Sequence, residues 1–331
     1  MVKNEDLLIV DNLTMEFQGA KLFLEKKPNV RAVNNVSFTV KEGETFGLVG
    51  ESGCGKTTLG KCIVRLLKPS EGKLLYNDEG EWKDLLALKK KESFDLRKKV
   101  QIVFQDPYAS LNPQHTILEA FDEPMRVHGI GGGNKEARKK LIAEALQRVN
   151  LQPDYMYRYP HEFSGGQRQR ICVAKALVLQ PKLIICDEPV SALDVSVQAQ
   201  LLNLMKKLQK ELGITYIFIA HDLSVVQYMS DRIGVMYLGN MVELADSDEL
   251  YRNPLHPYTN ALLSAVPVPV VDGKKDRIIL EGDVPSPINP PKGCPFHPRC
   301  SKCMEICKQE KPVLEEKVNG HFIACHLYDS K

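Results

Sequence analysis

The chain has 331 residues, 43% apolar and 26% charged, with a formal net charge of +2 from 44 basic and 42 acidic side chains. This is ordinary globular composition for one large or two modest domains, without the basic excess of a nucleic-acid-binding surface. No apolar run approaches the roughly 20 residues of a membrane span, and the N-terminus Met1-Val2-Lys3-Asn4-Glu5-Asp6 lacks the apolar core of a signal peptide. A cytosolic chain is the expectation, so its nine cysteines are expected to be thiols rather than disulfides.

Residues 7–17 and 31–40 read as strands, because Leu8, Val10, Leu13, Met15 and Phe17, then Val36, Phe38 and Val40, partly alternate. The polar stretch 18–30 reads as a long loop and 41–44 as a turn. An apolar strand from Thr45 leads into Gly50-Glu51-Ser52-Gly53-Cys54-Gly55-Lys56-Thr57-Thr58, followed by a helix expected to reach Leu67. A hairpin is expected over 72–82 and a strand over 100–104. A two-proline loop, 106–113, comes next. Two helices follow between Ile117 and Val149, broken at Gly129–Gly133, with Ala137, Leu141, Ala145 and Val149 on one face.

After Phe163-Ser164-Gly165-Gly166-Gln167 a helix runs to about Leu179. Leu183–Cys186 is a buried strand ending in Asp187 and Glu188. Ser191-Ala192-Leu193-Asp194 opens a helix whose Val197, Leu201, Leu204, Met205, Leu208 and Leu212 form an apolar stripe closed by Gly213. A strand over 215–220 ends at His221, and a hairpin turns at Gly239-Asn240. Buried strands alternating with helices predict a mainly parallel α/β sheet, whose ligands sit beyond the carboxyl ends of the strands.

Gly50 to Thr57 fits G-x-x-x-x-G-K-[ST]. Glycines let consecutive N–H groups converge on one anion, the following helix adds its positive end, Lys56 reaches the β/γ-phosphates and the Thr57 hydroxyl ligates Mg²⁺. Asp187 at a strand end fits a second Mg²⁺ ligand. Glu188 is placed to polarise a water attacking the γ-phosphate. Gln105 could meet the metal or that water, and His221 the γ-phosphate. Ser164–Gln167 makes a second anion nest. A chain with one P-loop has little use for two, so the simplest account gives this nest to the nucleotide of another protomer.

Together Gly50–Thr57, Gln105, Ser164–Gln167, Asp187-Glu188, Ser191–Asp194 and His221 resemble the ATPase subunits of ABC transporters over about residues 5–265. The resemblance implies a P-loop NTPase core of α/β class with antiparallel β elements and a helical subdomain at about 106–175. It makes Gln105 the Q-loop, Phe163–Gln167 the LSGGQ motif with Phe163 for leucine, Asp194 the D-loop and His221 the switch histidine. Ser52, Gly53, Cys54, Gly55, Lys56, Thr57 and Thr58 would hold ATP. The family's adenine-stacking aromatic points to Phe17, with Phe23 or Arg31 as alternatives beside the insertion at 18–30. Phe104–Pro113, Asn253–Thr259 and Pro285–Pro291 look like the dipeptide, oligopeptide and nickel importer ATPases. That likeness implies a second related ATPase subunit in a head-to-tail dimer, two transmembrane permease subunits, and indirectly an extracytoplasmic binding protein. The chain would sit peripherally on the cytoplasmic face of the membrane, with no nucleic-acid partner. Rival readings are a soluble ABC-type ATPase acting on ribosomes or nucleic acid, and a P-loop kinase or GTPase, which Ser164–Gln167 disfavours.

Beyond residue 265 prolines are dense and Cys294, Cys300, Cys303, Cys307 and Cys325 crowd the tail. A proline-rich segment with few apolar runs needs a staple, and in the cytosol that points to metal ligation. The spacing favours an iron–sulfur cluster, with Zn²⁺ as an alternative that His297, His321 and His326 keep open. The resemblance implies a small Cys-rich domain at 266–331, in which Cys294, Cys300, Cys307 and Cys325 hold a [4Fe-4S] cluster and Cys303 is spare. Since the ATPase residues precede about position 225 and need none of these thiols, ATP binding is expected to survive their replacement by serine nearly unchanged.

Overall fold

The structure, a computed structural model, describes residues 5–19, 21–22, 25–26, 29–266, 277–318 and 320–329. In chain order its strands are β1 (Asp6–Phe17), β2 (Lys21–Leu22), β3 (Glu25–Lys26), β4 (Val30–Lys41), β5 (Thr45–Val49), β6 (Glu71–Asp78), β7 (Glu81–Asp84), β8 (Val100–Val103), β9 (Leu183–Asp187), β10 (Thr215–Ile219), β11 (Arg232–Tyr237), β12 (Asn240–Asp246), β13 (Glu315–Val318) and β14 (His321–Ile323). Its helices are α1 (Lys56–Ile63), α2 (Lys90–Lys99), α3 (Pro107–Ser110), α4 (Ile117–Val127), α5 (Lys135–Arg148), α6 (Gly165–Leu177), α7 (Val195–Leu212), α8 (Leu223–Met229), α9 (Ser247–Arg252), α10 (Pro257–Ser264) and α11 (Glu305–Gln309). The chain divides into two compact units, one from stretches 1–40, 45–86 and 220–331 and the other from 41–44 and 87–219.

In the first unit β4, β1, β6 and β7 form one sheet in which β6 runs antiparallel to β1 and β7, with Leu8 opposite Tyr76 and β6 turning into β7 at Glu79-Gly80. β5 runs parallel to β11, Val49 opposite Val235, and β11 turns back into β12. The tail joins this sheet. β14 pairs antiparallel with β12, Leu244 opposite Phe322, and β13 pairs with β14. Phe46 stacks on Phe38 at 4.7 Å, and Tyr237, Tyr258 and Phe296 are fully buried around one another.

In the second unit β8, β9 and β10 lie parallel, Val103 opposite Cys186 and Ile219 opposite Asp187. Every residue of β9 and β10 is buried, which is why both read as unbroken apolar runs. α7 begins where the Asp194 side chain accepts from Val197 N and ends at Gly213 in the left-handed conformation, φ 64°.

Several expectations are corrected. α1 ends at Ile63, short of Leu67, and Arg65 turns left-handed at φ 60°. Part of 18–30 is the small hairpin β2–β3 rather than loop. Phe23 lies outside the described residues. Of the face expected on α5, Ala145 and Val149 are buried while Ala137 and Leu141 are only half-buried; Arg138, Ile142 and Leu146 complete the buried side, with Arg138 bonded to Asp122 at 2.6 Å. Leu212, placed in the stripe of α7, is exposed. Helices α2, α8, α9, α10 and α11 were not anticipated, and α3 stands inside the stretch expected as a two-proline loop. No helix among the described residues is long and apolar enough to cross a membrane.

Candidate active site

Three glycines of the P-loop adopt φ values of 148°, 79° and 103°, at Gly50, Gly53 and Gly55. Two of them also face tight quarters. A Cβ on Gly50 would stand 2.1 Å from Met236 O, and one on Gly55 2.1 Å from Ala32 O. Only glycine fits both demands. Gly55 precedes α1 with no side-chain cap, so the positive end of the helix faces this loop. Lys56 is buried and folds back, its Nζ donating to Gly50 O at 2.6 Å and Glu51 O at 3.1 Å, with Cys54 Sγ at 3.5 Å. A buried ammonium in a ring of main-chain groups, ahead of an uncapped helix, fits a nucleotide polyphosphate. Ser52, Thr57 and Thr58 lie in the same loop and helix start. Burial pushes the Cys54 thiol up against the pull of Lys56, so this cysteine is a packing residue rather than a nucleophile. Ala220 N donates to Leu48 O at 3.4 Å, which ties the peptide before His221 to the strand feeding the loop. Phe17 ends β1 exposed, with Arg31 pairing Glu16 at 3.9 Å.

In the second unit the carboxyl ends of β8 and β9 bring Gln105 to Glu188. Gln105 Nε2 donates to Glu188 Oε2 at 3.0 Å and approaches Ser191 Oγ at 3.4 Å. Glu188 is held in the left-handed region at φ 49° by its N–H, which donates to Ile219 O at 2.9 Å. Such a backbone is costly for a non-glycine residue and is found where a side chain must be aimed. Asp187, one residue earlier, is buried at the strand end.

Ser164 and Gln167 form a reciprocal cap. Gln167 N donates to Ser164 Oγ at 3.3 Å, and Ser164 N donates to Gln167 Oε1 at 3.0 Å. Both side chains of the expected anion nest therefore also serve the start of α6. Gly166 is forced by packing, since a Cβ there would stand 2.3 Å from Val197 Cγ1. Gly165 has ordinary room beside Leu193. Asp194 accepts from Ser196 Oγ at 2.7 Å and from Val197 N at 3.0 Å, and the latter bond leads in holding its carboxyl below the usual range. A cavity of about 340 Å³ beside the Q-loop is lined by Gln105, Pro107, Tyr108, Gly165 and Leu193.

The tail thiols gather. Cys294 is pushed up to about 12 by burial and then by the neighbouring Cys307, Cys325 and Cys300 thiols. Cys325 rises to about 11 for the same reasons, with Cys300 and Cys307 beside it. Cys303 flanks Cys307. Among the described residues, however, no group of three or more His, Cys, Asp or Glu side chains could hold a metal ion as it stands. The histidines invoked for zinc are engaged elsewhere. His321 Nε2 meets Glu243 at 2.7 Å, His297 Nδ1 lies 2.9 Å from Cys294 O, and His326 meets Asp329 at 2.7 Å. The tail also has order without a staple, through β14 on β12 and the buried Glu243, which accepts from Leu255 N and His256 N.

The tail nevertheless touches the P-loop. Arg299 pairs with Glu51 of the P-loop at 2.8 Å, and Tyr258 Oη accepts from Glu51 N at 2.9 Å. Sequence reasoning missed Glu51, Tyr258 and Arg299. The only local signal was an acid inside a phosphate-binding motif.

The family model described as "ABC transporter" matches residues 33–191, and the model described as "Oligopeptide/dipeptide transporter, C-terminal region" matches 242–307. The putative oligopeptide transport ATP-binding protein YkfD of Bacillus subtilis (strain 168) is 54% identical over 324 residues, 97% of this chain and 95% of that one. The chain belongs to the ABC transporter ATP-binding family. The oligopeptide transport ATP-binding protein OppF of Salmonella typhimurium is 50% identical over 328 residues, 98% of this chain and 96% of its own length. Among solved structures, the dimeric post-hydrolysis state of the ATP-binding cassette MJ0796 bound to ADP and Pi superposes with a TM-score of 0.63. It is 30% identical and covers 73% of this chain and 99% of that one. This ABC subunit therefore has the P-loop ATPase fold of its family and is an ATPase.

Proposed function

We propose that this ABC subunit hydrolyses ATP to energise an importer of di- or oligopeptides. The observation that carries this reading is the identity of about half, over nearly the whole of both chains, with proteins named for oligopeptide transport. The match at 242–307 adds the region particular to those transporters. The rival of a soluble ATPase on ribosomes or nucleic acid has no such support.

The roles follow from chemistry. Lys56 binds the β/γ-phosphates together with the N–H groups of Ser52–Thr58, and Phe17 stacks on adenine. Thr57, Gln105 and Asp187 would hold Mg²⁺, which offsets phosphate charge. Glu188 takes the proton of the attacking water, held in place by Gln105, and His221 donates to the γ-phosphate. Ser164, Gly165, Gly166, Gln167 and Asp194 serve a partner cassette's nucleotide in a head-to-tail dimer. Closure of that dimer drives two permease subunits fed by a binding protein, so the chain works peripherally at the cytoplasmic membrane face. We further assign residues 1–265 to the ATPase module, with 106–175 as its helical subdomain, and 266–331 to a Cys-rich module. Cys294, Cys300, Cys307 and Cys325 offer four gathered soft donors suited to a [4Fe-4S] cluster, once their protons are displaced and they close around it.

Glu188→Gln tests the hydrolytic assignment. It keeps ATP binding and slows hydrolysis by about 10²–10⁴, the size of a general-base effect. Hydrolysis at the wild-type rate would remove Glu188 from that role.

A further inference from the structure

The loop that receives a polyanion carries one acid of its own. Glu51 is the sole acidic residue from Gly50 to Thr58. Its carboxylate is met by a fork from the tail, across 248 positions of sequence. Arg299 Nη1 donates to Oε2 at 2.8 Å and Nη2 to Oε1 at 3.3 Å. The Arg299 side chain is 8% exposed and that of Glu51 27%, so this is a bidentate, largely desolvated pair rather than a surface contact. The rest of Glu51 is held as well. Its N–H donates to Tyr258 Oη and its carbonyl accepts from Lys56 Nζ at 3.1 Å. Tyr258 packs against Tyr237 at 4.7 Å and against Phe296 at 5.4 Å. Phe296 and Arg299 come from one short tail segment, between Cys294 and Cys300. That segment supplies both the ring that seats Tyr258 and the guanidinium that meets Glu51.

We propose that Arg299 is a positioning residue for nucleotide binding: it neutralises Glu51 of the P-loop, so that ATP affinity depends on the docked tail. The inference rests on the reading of this loop as the ATP site. Without Arg299, the Glu51 carboxylate would compete with phosphate for Lys56 and repel the triphosphate in a partly water-excluded place. Linkage makes the effect mutual, so bound ATP must strengthen tail docking by the same factor.

The test is titration of Mg-ATP against the full chain, with hydrogen exchange of residues 294–309 as a second readout. Arg299→Ala raises Kd about tenfold, and Arg299→Lys recovers part of the loss. Glu51→Gln combined with Arg299→Ala returns Kd to within about threefold of wild type, because no charge is left to neutralise. ATP slows exchange in the tail of the wild type more than in Arg299→Ala. Unchanged affinity in Arg299→Ala, beside normal binding by the wild type, overturns the proposal alone. A double variant as weak as Arg299→Ala also overturns it, and reduces Arg299 to a structural tether. A wild-type chain that binds no ATP brings down the nucleotide reading and this inference with it.

Discussion

Glu188 and Gly166 show two ways in which single residues carry the site. Glu188 accepts a left-handed backbone that its side chain does not favour, and the Gln105 amide fixes where its carboxylate points. Gly166 is chosen by what is absent. With Val197 Cγ1 2.3 Å from any Cβ, Gly166→Ala must push α6 from α7, at a cost of about 1–3 kcal/mol of stability. Thermal unfolding checks this, and an unchanged melting temperature would show that the two helices give way freely. Residues such as Lys56, Asp187 and Ser164 could be singled out in the sequence because each stands in a short local motif, and the roles proposed for them rest on that pattern. Arg299 could not. Its partner is 248 positions away, and a pair across that distance has no period and no motif.

At the scale of elements, long and strongly patterned segments were read correctly. β9 and β10 are buried on both faces, and α7 has a cap at each end. Short helices escaped because two turns give no period. α10 is set instead by its cap, where His256 Nδ1 accepts from Tyr258 N at 3.1 Å. That cap has a pH consequence. Burial lowers the His256 pKa to about 4, against the opposing pull of Glu243. The folded state keeps a neutral ring while the unfolded chain protonates near 6.5, so the unfolded state binds more protons between those values. Stability is therefore lost as pH falls through that window, by ~2 kcal/mol at pH 5. Denaturant midpoints at pH 8 and pH 5 measure it, and His256→Asn, which keeps an acceptor at the cap, should narrow the difference. An equal gap in both proteins would assign the acid sensitivity to other groups. Ser164→Arg addresses α6 itself. It should leave ATP binding by the isolated chain intact while preventing ATP-dependent pairing of cassettes, as seen by light scattering. Loss of ATP binding in the monomer would contradict a role toward the partner.

The whole molecule is organised so that the tail belongs to the unit that carries the P-loop. The cysteines suggested a stapled appendage because proline-rich sequence hides β14, three residues long, whose order comes from pairing with β12. Its four gathered thiols make a separate prediction. Protein purified without oxygen should be brown and contain iron, and Cys294→Ser should bleach it; one zinc per colourless chain would overturn the cluster proposal. The central claim, that this subunit hydrolyses ATP to bring peptides into the cell, is tested most directly by uptake. Radiolabelled tripeptide entry is measured in cells lacking the chain and supplied with the wild type or with Glu188→Gln. The account predicts that the wild type restores uptake and Glu188→Gln, which still binds ATP, does not. Uptake restored equally by both, or undiminished when the chain is absent, would contradict it.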